Sequence, residues 1–169
     1  MFRFSSSALA RITKSILFPG PVSVPYRVVA DICNYPLFLD GCERVEVLTS
    51  GSIDQDDEKY GREGSELVTA KITVGFGGNT YEMTTRNQNR YLERISVVML
   101  EGPFESFKGE WLFTSFGVQG CRIDIELSYS VSGILGKALK LVQGKIVDKT
   151  VSSFTKRFDW VLSTKEEPG

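Results

Sequence analysis

Polar and apolar positions alternate along most of the middle of the chain. "ELVTAKITVGF" (residues 66–76) places Ala70, Ile72, Val74 and Phe76 on one face, with Thr69, Lys71 and Thr73 on the other. After the turn "GFGGNT", residues 80–87 repeat the pattern: Tyr81, Met83 and Thr85 oppose Glu82, Thr84 and Arg86. "RISVVML" and "GEWLFTSF" follow. In "CRIDIELSYSV" the residues Ile123, Ile125, Leu127, Tyr129 and Val131 face away from Arg122, Asp124, Glu126, Ser128 and Ser130. A period of two this regular describes strands with one wet face and one covered face, as in an antiparallel sheet with a layer packed on it.

Earlier in the chain, a first strand is expected near residues 10–18. Pro21 and Pro25 then introduce a helical stretch, "YRVVADI", and residues 44–50 alternate again with Val45 and Val47 on one face. "GSIDQDDEKYGREGS" reads as a polar hairpin end. The covering layer is the segment from Gly133 to about Thr164. Leu135, Leu139, Val142 and Ile146 form one helical stripe; Val147, Val151, Phe154, Phe158 and Val161 form a second. Gly144 stands near the change of stripe, where a bend or break is expected. The order is strand, short helices, about six strands, long helix. That is an α+β architecture in a single domain over residues 1–169, with a core from about 10 to 164, a short basic N-terminal segment and a charged tail.

Composition narrows the chemistry. The 169 residues contain no His, so serine–histidine triads, cysteine–histidine dyads and histidine-based zinc sites are excluded. The net charge of -1 supplies no global attraction to nucleic acid, and DNA is not an expected partner. Cys33, Cys42 and Cys121 lack a CxxC spacing and read as reduced, small buried side chains in a cytosol-like compartment. Residues 1–30 carry Arg3, Arg11, Lys14 and Arg27 and no acid before Asp31, a bias shared with transit peptides. The strand pattern begins by about Ala10, however, and leaves little to remove. No apolar run approaches the ~18 residues of a membrane span.

Two motifs are better explained by structure than by chemistry. "GFGG" (residues 75–78) lies between strands, whereas a phosphate cradle needs a following helix N-terminus; its glycines suit a hairpin. Asp124 and Glu126 share a wet strand face, and Asp54, Asp56, Asp57 and Glu58 share a loop, so neither group is enclosed in a way that prepares a general acid. Asp31 and Asp40 flank a denser feature, the aromatic knot "NYPLFLDGC". Pro36 is expected to help end the preceding helix, Tyr35, Phe38 and Leu39 to fold toward the apolar sheet face, and Asp40–Gly41 to turn into the next strand. A sheet gripping a helix between such bulky walls can enclose an apolar cavity.

The order of "VADICNYPLFLDGC", "VTAKITVGFGG", "EGPFESFKGEWLFT" and "GCRIDIELSYSVSG" before the long helix resembles the coenzyme Q-binding and RatA-type proteins of the START-like, polyketide-cyclase-like superfamily. The resemblance spans roughly residues 12–160. It implies a helix-grip fold: a curved antiparallel sheet wrapped around the C-terminal helix, with an apolar cavity between them. It also implies non-catalytic binding of ubiquinone (coenzyme Q) or a similar polyisoprenoid lipid in support of respiratory electron transport, without a required cofactor. The alternative is a ribosome-associated regulator of the RatA type that binds the large subunit. A cyclase or hydrolase of the same superfamily would need a convergent catalytic set, and none is visible in the sequence. On the first reading the candidate lining is Tyr35, Phe38, Leu39, Val74, Phe76, Tyr81, Met83, Trp111, Phe113, Val151 and Phe154. On the second, Lys145, Lys149 and Lys156 form a basic surface. Residues 134–165 hold seven Lys or Arg against two Asp, a net +5. A cytoplasmic location is expected, with peripheral contact to the inner membrane if a quinone is collected there. Family members usually read Tyr-Pro-x-Phe-Leu-Pro-Trp-Cys at the knot; here Asp40 and Gly41 replace the Pro-Trp pair.

Overall fold

A computed structural model describes residues 9–52 and 65–164. Seven strands form one antiparallel sheet: β1 (Ala10–Phe18), β2 (Cys42–Ser52), β3 (Glu66–Phe76), β4 (Asn79–Arg90), β5 (Arg94–Glu101), β6 (Ser106–Ser115) and β7 (Cys121–Ser130). Their spatial order is β1-β7-β6-β5-β4-β3-β2. The first two strands therefore occupy opposite edges. The chain travels between them through α1 (Ser23–Ala30), a 3-10 turn at Ile32–Asn34 and the single-turn helix α2 (Tyr35–Phe38). The last element is α3 (Gly133–Thr164). The acidic hairpin end expected between β2 and β3 lies largely outside the described residues.

The alternation read from the sequence maps onto the sheet. Met83, Thr85, Asn87 and Asn89 of β4 share the face that carries Val68, Ala70 and Ile72 of β3, because the register pairs Ile72 with Met83 and Ala70 with Thr85. The densest packing gathers where α1 and the C-terminal half of α3 meet the sheet. Ile16, Phe18, Val24, Val29, Ile95, Phe113, Ile123, Phe154 and Phe158 are buried there. Each such side chain taken from water contributes about 1.5–3 kcal/mol. The N-terminal half of α3 is far less covered: Ile134 and Leu141 are 88% and 86% exposed.

Three local expectations are corrected. Pro36 does not end α1, which stops at Ala30; it lies in the first turn of α2, and Tyr35 before it is helical (φ -54°, ψ -40°). A missing N–H costs nothing in that turn, which already lacks intrahelical partners. The helix α3 runs unbroken through Gly144; the flexibility of one glycine is outweighed by hydrogen bonding and packing on both sides. Of the cysteines, Cys121 is buried but Cys42 is only partly covered and Cys33 is exposed. All three are free thiols.

Candidate functional site

Between the sheet and the middle of α3 lies an apolar cavity of about 260 Å³, partly open to solvent. Its walls come from most of the elements. Ile12 and Ile125 approach from β1 and β7, Ile72 and Met83 from the β3–β4 pair, Trp111 from β6, and Ile146, Val147, Val151 and Phe154 from α3. Tyr35 and Leu39 of the knot close one side. A smaller void of about 130 Å³ shares Ile12, Phe107, Leu127, Ile146 and Val147 and extends the space along α3 toward Leu139.

Phe154, only 3% exposed, organises the knot side. Its ring meets Tyr35 at 5.5 Å, Phe38 at 5.4 Å and Trp111 at 4.8 Å, in edge-to-face arrangements. Such geometry satisfies the quadrupoles of aromatic rings. The Tyr35 hydroxyl donates to the Val29 carbonyl at 2.5 Å. Burial around that hydroxyl, reinforced by Cys42 and Asp31, pushes its pKa far above the usual phenol range. It is thus a fixed, neutral post rather than a titrating group.

Of the residues named from the sequence, Tyr35, Leu39, Met83, Trp111, Val151 and Phe154 line the cavity. Five others do not. Val74, Phe76 and Tyr81 share the correct face, but the cavity stops at the Ile72–Met83 rung, and these three sit farther toward the Gly77–Gly78 turn. Phe38 stands behind the wall, edge-on to Phe154 and beneath the Arg157 guanidinium at 5.2 Å. Phe113 belongs to the packing under α1, edge-on to Tyr26 at 5.4 Å.

Sequence reasoning missed two polar residues in the wall, Thr85 and Asn87, which are 1% and 5% exposed. Among the described residues, Thr85 Oγ1, Asn87 Oδ1 and, farther along β4, Asn89 Oδ1 are closed to solvent and have no hydrogen-bond partner. The available signal was their position: both continue the covered row of Met83, where a polar side chain is unexpected.

The rim is charged. Lys14 of β1 reaches Asp148 of α3 at 3.2 Å, and Lys149 on the next helical position pairs with Asp40 of the knot. The hydrogen bond from Lys149, then its charge, holds the Asp40 carboxyl below the usual aspartate range. Gly41 adopts φ +84°, and its carbonyl accepts from Gly75 N–H at 2.8 Å. A bulky Trp would resist that backbone conformation, so Asp40–Gly41 forms its own turn, tied to α3 by charge. Lys145 and Lys156 are exposed on α3, as are Lys137 and Lys140. The three lysines named from the sequence therefore share a solvent-facing helix, but one of them is engaged by Asp40. Among the described residues, no group of acidic or Cys side chains could hold a metal ion. No described helix is long and apolar enough to cross a membrane.

Comparison with known proteins agrees with this architecture. Residues 18–155 match the family described as polyketide cyclase / dehydrase and lipid transport. The ribosome association toxin RatA of Escherichia coli is 26% identical over 93% of this chain and 89% of its own. The RatA of Pseudomonas aeruginosa is 31% identical over 75% of this chain and 79% of its own. Among solved structures, the Zhui aromatase/cyclase of a Streptomyces species superposes with a TM-score of 0.76 at 14% identity, covering 95% of this chain and all of that one. The chain belongs to this polyketide cyclase and lipid transport family, with the START-like helix-grip fold, and is a RatA-type member of it.

Proposed function

We propose that the protein associates with the ribosome through the solvent face of α3 and works in the cytoplasm. The observation that carries this reading is the likeness to ribosome association toxins over nearly the whole chain. The exposed Lys137, Lys140, Lys145, Lys149 and Lys156 on one helix supply matching chemistry. Of these, Lys145, Lys149 and Lys156 share one face of the helix; a row of lysines suits a phosphate backbone, and such binding weakens steeply with salt. The test is co-sedimentation with isolated ribosomal subunits over a salt series, comparing the native protein with Lys145→Glu/Lys156→Glu. Lys149 is left in place because it holds Asp40. Two lost phosphate contacts lower the slope of log affinity against log salt by about 1.5. Unchanged sedimentation of the double variant would count decisively against this face.

A second reading, small-ligand binding, is favoured by the cavity. At about 260 Å³ it lies just below the range of about 300–1,000 Å³ usual for small-molecule pockets. The adjoining void of about 130 Å³ lengthens the space along α3. A long isoprenoid tail, as in ubiquinone, would have to extend along α3 or out of the mouth. Native mass spectrometry and organic extraction of the protein from a quinone-producing host test the reading. Recovery without any bound small molecule, together with no saturable uptake of added ubiquinone, rejects it.

A further inference from the structure

We propose that Trp160 and Arg157 form a stacking site for an unpaired RNA base near the C-terminal end of α3; the inference rests on the ribosomal reading and extends it from phosphate to base. Trp160 is 52% exposed, whereas tryptophan is highly buried on average. The Arg157 guanidinium lies over its ring at 4.1 Å and over the Phe38 ring at 5.2 Å. Arg157 is half-buried, and among the described residues no carboxylate pairs with it. Two aromatic rings therefore hold the cation in place and leave its fork of N–H donors without an anion. Such a fork suits a phosphate, which it can bind through two parallel hydrogen bonds.

Charge chooses the occupant. Exposed Lys156 stands one helical turn before Trp160, and exposed Lys145 lies three turns farther back on the same face. The acids of α3 are Asp148 and Asp159. Asp148 is committed to Lys14, and Asp159 points about 100° away from Trp160. Exposed Trp and Arg also anchor protein interfaces, but the cores of those interfaces are depleted of Lys. Here lysine borders the indole. A nucleotide meets every part of the cluster: its base stacks on Trp160 while its phosphate meets Arg157 and Lys156. Bases in a duplex stack on one another and hide their faces, so the site fits a loop, bulge or strand end.

The test titrates a short single-stranded RNA, and a blunt duplex containing the same sequence, into the native protein, Trp160→Ala, Trp160→Phe and Arg157→Ala. Trp160→Ala should weaken the single strand by at least about tenfold and the duplex by less than about threefold. Trp160→Phe should keep most of the affinity, because a ring still offers a π face. Arg157→Ala should lower the slope of log affinity against log salt by about 0.7, one phosphate contact on a single strand, and Trp160→Ala should leave the slope unchanged. Equal losses for single strand and duplex, or no loss, overturn the stacking site. Co-sedimentation of the same variants with ribosomal subunits separates the two levels. Sedimentation of native protein and Trp160→Ala alike overturns the site and keeps the ribosomal reading. Loss in Trp160→Ala, with no binding of native protein to the single strand, points to a protein partner and also overturns it. Native protein that does not sediment removes both. Should Trp160→Ala fail to fold, tryptophan fluorescence of the native protein decides. Trp160 is exposed and Trp111 lines the cavity, so saturating single strand should quench the emission and saturating duplex should not; equal quenching, or none, overturns the site.

Discussion

Replacing Phe154 by Ala should cost more than any other single truncation in the grip of α3 on the sheet. The ring is 3% exposed and touches four others: Tyr35, Phe38 and Trp111, and Phe158 at 6.2 Å. Burial of such a side chain contributes about 1.5–3 kcal/mol, and each favourable aromatic pair adds about 0.5–1.5 kcal/mol. These terms are not independent, and measured Phe→Ala losses in cores run about 3–5 kcal/mol. We expect a loss in the upper half of that range. The hole would merge with an existing 260 Å³ cavity, so the neighbours have little to collapse onto. For a chain of this length 1 kcal/mol moves the melting temperature by about 2–4 °C, which gives a fall of roughly 12 °C. Urea denaturation followed by tryptophan fluorescence reads it, since Trp111 reports directly on the lost contact. Phe154→Leu should cost less than half as much, because it keeps most of the apolar volume and loses chiefly the ring contacts. A loss below 1 kcal/mol for the alanine variant would refute the idea that this ring couples knot, sheet and helix.

Other perturbations separate the remaining parts of the argument. Gly144→Ala should stabilise by about 0.5–1 kcal/mol in urea, because the added methyl meets nothing within 4 Å and the helix is continuous there; a neutral or destabilising result would indicate a break. Gly136→Ala should destabilise by about 1–3 kcal/mol, since its Cβ would sit only 2.5 Å from the Val131 carbonyl oxygen. Burial raises the Tyr35 phenol well above its ordinary value and pushes Tyr26 up to about 12. Both groups must lose their protons more readily in the unfolded chain, so stability is full below pH 10 and declines as pH rises beyond it. Tyr35→Phe should flatten that alkaline decline in urea midpoints measured from pH 9 to 11; an identical slope in the variant would contradict the burial argument. The Asp40 carboxyl should titrate below 3.8 and return to it in Lys149→Met, as followed by carbon-detected magnetic resonance. A shift that survives the substitution would show that Lys149 is not its cause.

Strand faces were legible because alternation is a local property: one residue placed on the covered face fixes its neighbours two positions away. Tyr81 and Met83 therefore share a face in the sequence and in the structure. Only Met83 lines the cavity, because that depends on where α3 crosses the sheet, which is set by packing between Phe154 and the knot rather than by any residue of β4. Phe113 went to the core under α1 for the same reason. Its partner Tyr26 lies 87 positions away in sequence, and no periodicity announces such a pairing. Thr85 and Asn87 differ in kind. Their position on the covered face was readable; the meaning of a polar residue there was not, until burial and the lack of a partner were both known. Likewise Asp40–Gly41 reads as a turn, but its ion pair joins the knot to a helix more than a hundred residues later.

The ribosomal and ligand readings both depend on α3, yet they use opposite sides of it. Ile146, Val147, Val151 and Phe154 face the cavity, while Lys145, Lys149 and Lys156 face solvent. A helix that turns by about 100° per residue keeps these sets apart. Adjacent to the cavity-facing Val147, Asp148 and Lys149 are committed to Lys14 and Asp40. Charge reversal at either would disturb the rim and the outer surface together, and its effect could not be assigned to one function. Lys145 and Lys156 lie outside those pairs, and Thr85 and Asn87 lie on the opposite wall. Substitutions at these two sets of positions therefore report independently: the first on an anionic surface bound through the helix, the second on a small molecule held beneath it. A protein that performs both tasks must show each loss without the other.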